Sequence, residues 1–117
     1  MKILVVDDNR EFADSLKDLL SLKRYEAEVA YSGSEAMSLV ERQHFDLILL
    51  DLIMPGQDGI TVLGDMARRG IRTPTMVMTA FSEEERLKKA RELGARCCLT
   101  KPLAFKQLEN LIKGTKP

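Results

Sequence analysis

The chain has 117 residues, 18 of them basic and 18 acidic, so its formal net charge is zero and no bulk field draws it to nucleic acid or an anionic membrane. That length suits one domain, large enough to bury roughly two-thirds of its unfolded surface in a single core. No apolar run approaches the length that spans a bilayer, and the only cysteines, adjacent Cys97 and Cys98, make neither a disulfide framework nor a metal motif. Met1-Lys2 leads straight into a strand pattern with no secretory signal, and the expectation is a cytoplasmic domain in a reducing compartment.

Ile3-Leu4-Val5-Val6 is a short apolar run of the kind that fills a buried strand, and Asp7-Asp8 follow it at once. Asn9 or Asp8 can cap a helix in which Phe12, Leu16, Leu19 and Leu20 recur at helical spacing. Residues 25–31 alternate like a strand nearer the sheet edge, with Ala27, Val29 and Tyr31 on one side. Ser32 and Glu35 form a capping box that opens a helix with Ala36, Met37 and Val40 inward. The run from Leu47 to Leu50 predicts a central strand buried on both faces, and it stops at Asp51. Pro55-Gly56 enforces a turn, and Asp58 caps a helix whose apolar stripe is Ile60, Leu63 and Ala67.

That helix closes at Arg68-Arg69-Gly70, with positive charge at the negative end of its dipole. Pro74 starts a fourth strand, Thr75 to Met78, which ends at Thr79-Ala80. Ser82 and Glu85 make a second capping box before a highly charged helix that Gly94 closes. Glu84 with Lys88, and Glu85 with Lys89, have the spacing of i,i+4 pairs on a solvated face. Ala95 to Leu99 is a fifth strand, ended by Thr100-Lys101-Pro102, and a last helix turns Phe105, Leu108, Leu111 and Ile112 inward. Met37, Met66, Met76 and Met78 fall at core spacings, and His44 reads as a surface residue without a partner acid. Five strands alternating with five helices predict one α/β domain over residues 1–117, a doubly wound parallel sheet with right-handed crossovers.

In such a sheet the ligand crevice lies beyond the carboxyl ends of the strands. The residues that leave the apolar runs at that edge are Asp7 and Asp8, Asp51, Thr79 and Lys101. Three carboxylates brought together repel unless a cation sits between them, and oxygen ligands in an open site suit Mg2+ or Mn2+. Lys101 adds a point charge for an anion and Thr79 a hydroxyl donor. Together these are the parts required for phosphoryl transfer onto an aspartate.

The motifs VVDDN at 5–9, LLDLIMPGQDG at 49–59, MTA at 78–80 and TKP at 100–102 are each weak alone. In this order and at strand ends, the chain resembles the receiver domain of two-component response regulators over essentially its whole length. The resemblance implies a flavodoxin-like sheet of order 2-1-3-4-5. It implies that Asp51 is the phosphoacceptor, that Asp8 binds Mg2+ directly, that Asp7 acts on the metal mostly through water, and that the backbone carbonyl of Ile53 completes the protein ligands. Thr79 and Lys101 would bind the phosphoryl group, and Lys101-Pro102 would be a cis peptide. It also implies a histidine kinase or phosphotransfer protein as donor. The output would be an altered surface of the fourth helix, fifth strand and fifth helix, read by a downstream protein or a C-terminal output domain. Direct contact with nucleic acid or membrane is not expected.

A Mg2+-dependent phosphatase with an Asp nucleophile is the alternative. Phosphatases of the haloacid dehalogenase type place an acid two residues after the nucleophile, but here that residue is Ile53, which cannot move a proton. A flavodoxin-like nucleotide module would need glycines and hydroxyls after the first strand, where Asp7-Asp8 would repel a phosphate. Two departures from the resemblance stand out. Cys98 occupies the place of an aromatic residue that usually reports the switch, and apolar Ile53 and Phe81 flank the approach of a hydrolytic water to Asp51.

Overall fold

Short apolar runs and amphipathic stretches alternate along the chain, and in the computed structural model, which describes residues 1–54, 56, 58–80 and 84–115, they become ten elements. These are β1 (Lys2–Val6), α1 (Arg10–Leu22), β2 (Glu26–Ala30), α2 (Gly33–Arg42), β3 (Leu47–Asp51), α3 (Gly59–Arg68), β4 (Thr75–Thr79), α4 (Glu84–Glu92), β5 (Cys97–Thr100) and α5 (Phe105–Gly114). The sheet order is β2-β1-β3-β4-β5, and each neighbouring pair is parallel. Val5 of β1 stands between Val29 of β2 and Leu49 of β3, so the strand order reverses at β1.

Side chains of a strand alternate between faces, and the apolar runs therefore feed two cores at once. Ile3, Val5, Leu47, Leu49, Met76 and Met78 pack with Leu16 and Leu20 of α1 and with Leu108 and Ile112 of α5. Leu4, Val6, Ile48, Leu50 and Val77 pack on the other face with Met37 of α2, Val62, Leu63 and Met66 of α3, and Ala90 of α4. The edge strand β2 is only partly covered, and its one fully buried residue is Ala30. Among the described residues no helix is long and apolar enough to cross a membrane.

Local chemistry sets the helix starts. Asn9 Oδ1 accepts from Phe12 N at 3.0 Å, which settles the first N-cap in favour of Asn9 over Asp8. Ser32 Oγ accepts from Glu35 N at 3.1 Å, and Glu35 reaches back to Tyr31 N, one residue upstream of the cap, at 3.1 Å. Asp58 Oδ1 accepts from Ile60 N at 2.9 Å and opens α3. Ser82, the expected cap of α4, lies outside the described residues, as does Pro55 of the expected turn. The peptide Lys101-Pro102 is cis, as the resemblance implied.

Three core expectations need correction. The buried stripe of α3 is Val62, Leu63 and Met66, while Ala67 is exposed and Ile60 is half-buried. The helix is rotated so that the larger Val62 and Met66 meet the sheet, where they bury more apolar area than Ala67 could. Leu19 faces outward at 43% exposure, because Ala13, Leu16 and Leu20 already fill the contact of α1 with the sheet. The fifth strand begins at Cys97 rather than Ala95, which is buried just ahead of it.

At Gly59 the backbone leaves no room for a side chain. Its N–H donates to the Leu52 carbonyl at 2.8 Å, and a Cβ there would stand 2.5 Å from the Asp51 carbonyl oxygen and 2.6 Å from Leu52 Cα. Both obstacles are backbone atoms, so neither can turn aside. Gly59→Ala is expected to lower unfolding free energy by about 1–3 kcal/mol, measured by urea denaturation, as overpacking of a filled site does.

Candidate functional site

Parallel pairing sends the carboxyl ends of all five strands to one edge. Asp7 is the residue after β1, Asp51 the last of β3, Thr79 the last of β4, and Lys101 the first after β5. Because β1, β3, β4 and β5 are successive neighbours, these groups form a row across four adjacent strands. Thr79 stands opposite Thr100 in the ladder and is 2% exposed.

The row closes into a cluster. One carboxylate oxygen each from Asp7, Asp8 and Asp51 lies within 4.8 Å of the others. Asp7 is fully buried and Asp51 is 4% exposed, whereas Asp8 faces solvent. The two buried acids are held in the same way. Asp7 Oδ1 accepts from Asn9 N at 3.0 Å, and Asp51 Oδ1 accepts from Ile53 N at 3.1 Å, in each case the N–H two residues ahead. The Oδ2 atoms share one donor, since the Lys101 ammonium is 2.6 Å from that of Asp7 and 3.3 Å from that of Asp51. Lys101 is itself fixed at its backbone by a hydrogen bond from its N–H to the Thr79 carbonyl at 2.8 Å.

One ammonium does not balance three carboxylates. Burial pushes the Asp51 carboxyl up to about 6, the Ile53 N–H pulls against that rise, the Asp7 charge adds to it, and the Lys101 ammonium offsets part. The cluster thus has surplus negative charge, oxygen-only donors and one solvent-facing member, which together fit a hard divalent cation such as Mg2+.

The structure therefore brings together Asp7, Asp8, Asp51 and Lys101, and places Thr79 on the neighbouring strand. Ile53 is half-buried beside them and contributes its N–H to Asp51. Phe81 lies outside the described residues. Cys98 is half-buried against the layer of α2, α3 and α4, with its Sγ 4.0 Å from a guanidinium nitrogen of Arg91. Two contacts near the site escaped sequence reasoning. Phe12, read only as a helix-face residue, has its ring 4.3 Å from the Lys101 ammonium. Arg86 of α4 reaches Asp58 Oδ2 at 2.7 Å and ties that helix to the cap of α3. Only the position of Phe12 four residues after Asp8, on the first turn facing the strand ends, could have signalled the first contact.

Two surface readings are corrected. His44 does have a partner acid, with its Nε2 3.3 Å from Asp46 Oδ1, although its side chain stays 83% exposed. Asp46 is drawn toward the chain because its other oxygen accepts from Lys2 N at 2.7 Å, and that hydrogen bond holds its carboxyl below the usual range. On α4, neither Glu84 with Lys88 nor Glu85 with Lys89 closes to an ion pair among the described residues, because solvent screens such exposed pairs and side-chain entropy opposes them.

A doubly wound parallel sheet of this order is the flavodoxin-like fold, and the chain matches the chemotaxis protein CheY4 of Vibrio cholerae with a TM-score of 0.91 and 26% identity over 98% of both chains. Within it the chain belongs to the response regulator receiver domain family, whose model matches residues 3–113. Over 121 residues it is 35% identical to the response regulator MprA of Mycobacterium avium, covering 100% of this chain and 53% of that protein. The chain thus spans about half the length of such full regulators. Among solved structures it matches the receiver domain of the Francisella response regulator 1452, with a TM-score of 0.90 and 29% identity over 97% of this chain and 94% of that one. It also matches the response regulator TrrA of Thermotoga maritima, solved in complex with Mg(2+)-BeF, with a TM-score of 0.87 and 30% identity over 98% of both chains.

The position of Asp51 sets a pH dependence. Its folded-state value of about 6 lies above the ordinary 3.8, so between those values the native chain binds more protons than the unfolded one. The sign is therefore a gain: metal-free stability is expected to rise as pH falls from about 6 to about 4, and to lose this contribution above 6. Urea midpoints across that range should show the rise in the wild type and a smaller rise in Asp51→Asn, which has no proton to take up.

Proposed function

We propose that the chain is a phosphorylation switch in which Asp51 accepts a phosphoryl group from phosphohistidine of a histidine kinase or phosphotransfer protein. The observation that carries this is the single ammonium of Lys101 shared between Asp7 and Asp51, beside three carboxylates with oxygens within 4.8 Å. Asp7, Asp8, Asp51 and the backbone carbonyl of Ile53 are the ligands for Mg2+, with Mn2+ a substitute. When bound, the cation supplies positive charge against the oxygens of the transferring group.

The rest falls to the protein's own side chains. The Ile53 N–H holds one Asp51 oxygen and so orients the carboxylate for in-line attack. A new bond forms from an Asp51 oxygen to phosphorus as the bond from phosphorus to the histidine nitrogen breaks, and that nitrogen keeps the electron pair. Lys101 transfers its attention from the Asp51 carboxylate to the phosphoryl oxygens, and the Thr79 hydroxyl donates to one of them. These movements change the surface formed by α4, β5 and α5, which a downstream protein or a C-terminal output domain reads in the cytoplasm. The greater length of its relatives supports an output domain. Turnover as a phosphatase is disfavoured because Ile53, two residues after Asp51, has no acid or base to offer a leaving group.

Mass spectrometry after incubation with acetyl phosphate and Mg2+ tests the reading. The wild type is expected to gain one phosphoryl adduct that Asp51→Asn lacks; an adduct of equal yield on the mutant would overturn it. The apolar Ile53 side chain offers no hydrogen bond to a water attacking the aspartyl phosphate. Ile53→Asn is therefore expected to shorten the phosphorylated lifetime roughly tenfold, a change that needs only ~1.4 kcal/mol of barrier. Decay followed in excess Mg2+ by phosphate-affinity electrophoresis checks this.

A further inference from the structure

Among the described residues the Lys101 ammonium touches three side chains, and two of them are acids. Its ammonium is 2.6 Å from Asp7 Oδ2, 3.3 Å from Asp51 Oδ2 and 4.3 Å from the centroid of the Phe12 ring. A cation at that distance from an aromatic face is attracted by the ring quadrupole. Phe12 is half-buried on the first turn of α1, and the Lys101 side chain is 18% exposed, so water competes only partly for the contact. The ring differs from the two carboxylates in one respect that matters here: it has no charge to surrender to a metal.

The two acids that Lys101 holds belong to the carboxylate cluster. A divalent cation taken up by that cluster claims their negative charge and repels the ammonium beside them. A lysine has four rotatable side-chain bonds and a strongly hydrated head, so a displaced ammonium would swing into solvent unless something else retained it. We propose that Phe12 is the positioning residue for Lys101: its ring keeps the ammonium at the mouth of the site when the carboxylates are taken up by a cation. A leucine could cover the lysine stem equally well but has no quadrupole. The contact stands on the geometry alone, and its consequence for phosphoryl transfer rests on the phosphoacceptor reading above.

The test compares Phe12→Leu with Phe12→Tyr and Phe12→Trp in the full chain, with thermal melts to establish that each folds. In the metal-free wild type, the Lys101 ε-methylene protons are expected upfield in the NMR spectrum, shielded by the ring. That shift should persist in the Tyr and Trp variants and vanish in Phe12→Leu. Phosphorylation by acetyl phosphate at saturating Mg2+ should slow roughly fivefold in Phe12→Leu and stay within about twofold in the aromatic variants. Equal rates in the Leu and Tyr variants, or unshifted Lys101 protons in the wild type, would overturn the proposal. A wild type that takes up no phosphoryl group, yet shows the shift and its loss in Phe12→Leu, would overturn the phosphoacceptor reading and leave the role of Phe12 supported.

Discussion

The Lys101 ammonium lies between two buried carboxylates, those of Asp7 and Asp51, and much of the molecule is arranged around that contact. Asp7 and Asp51 come from strands adjacent in space but separated in sequence by a strand and two helices. Their alignment follows from parallel pairing with in-register neighbours, Val6 opposite Leu50, which fixes how far each strand end projects. Lys101 arrives from the far side of β4, and its backbone bond to the Thr79 carbonyl sets its starting point. Leaving either acid without its cation would cost far more than the pair contributes, since an unpaired buried charge is the expensive state. The cluster is therefore held by one ammonium and still carries surplus negative charge.

Around this rigid row the layers are unequally anchored. On one face α1 and α5 bury leucines and an isoleucine deep in the sheet. On the other, α4 contributes Ala90 as its only fully buried residue, with Leu87 partly covered. Elements with few buried apolar contacts open and shift at low free-energy cost. The ion pair from Arg86 to Asp58 connects this loosely seated helix to the loop that follows Asp51. That arrangement gives the proposed switch a physical basis, because the helix nearest to letting go is also the one tied to the site.

Sequence patterning disclosed the architecture well because the strands are short, apolar on both faces and bounded by acids or glycines. The order of elements, the caps at Asn9, Ser32 and Asp58, and the convergence of Asp7, Asp8, Asp51 and Lys101 all follow from local signals. What escaped was tertiary. Periodicity marks an apolar stripe but leaves its rotation open, so Ala67 was exchanged for Val62 and Met66. Leu19 has the right spacing and the wrong side. The partners of His44 and Arg86 are set by how loops and helices meet in space, and no pattern within one segment encodes them. Phe12 shows the limit most clearly, since an aromatic on an amphipathic helix reads as core until the lysine from the far end of the chain is placed above it.

The close approach at Gly59 has a topological consequence. The hydrogen bond from Gly59 to the Leu52 carbonyl pinches the chain where it leaves the central strand, so the two ends of the intervening segment are held together. Within that segment Met54 is anchored in the core and Asp58 caps α3, so both positions are held as firmly as its ends. Closure entropy grows only slowly with loop length, by about 0.6 kcal/mol per doubling, so a residue added between Met54 and Asp58 would cost little while the helix keeps its seat on the sheet. Length and composition between those two anchors are thereby decoupled from the scaffold that positions Asp51.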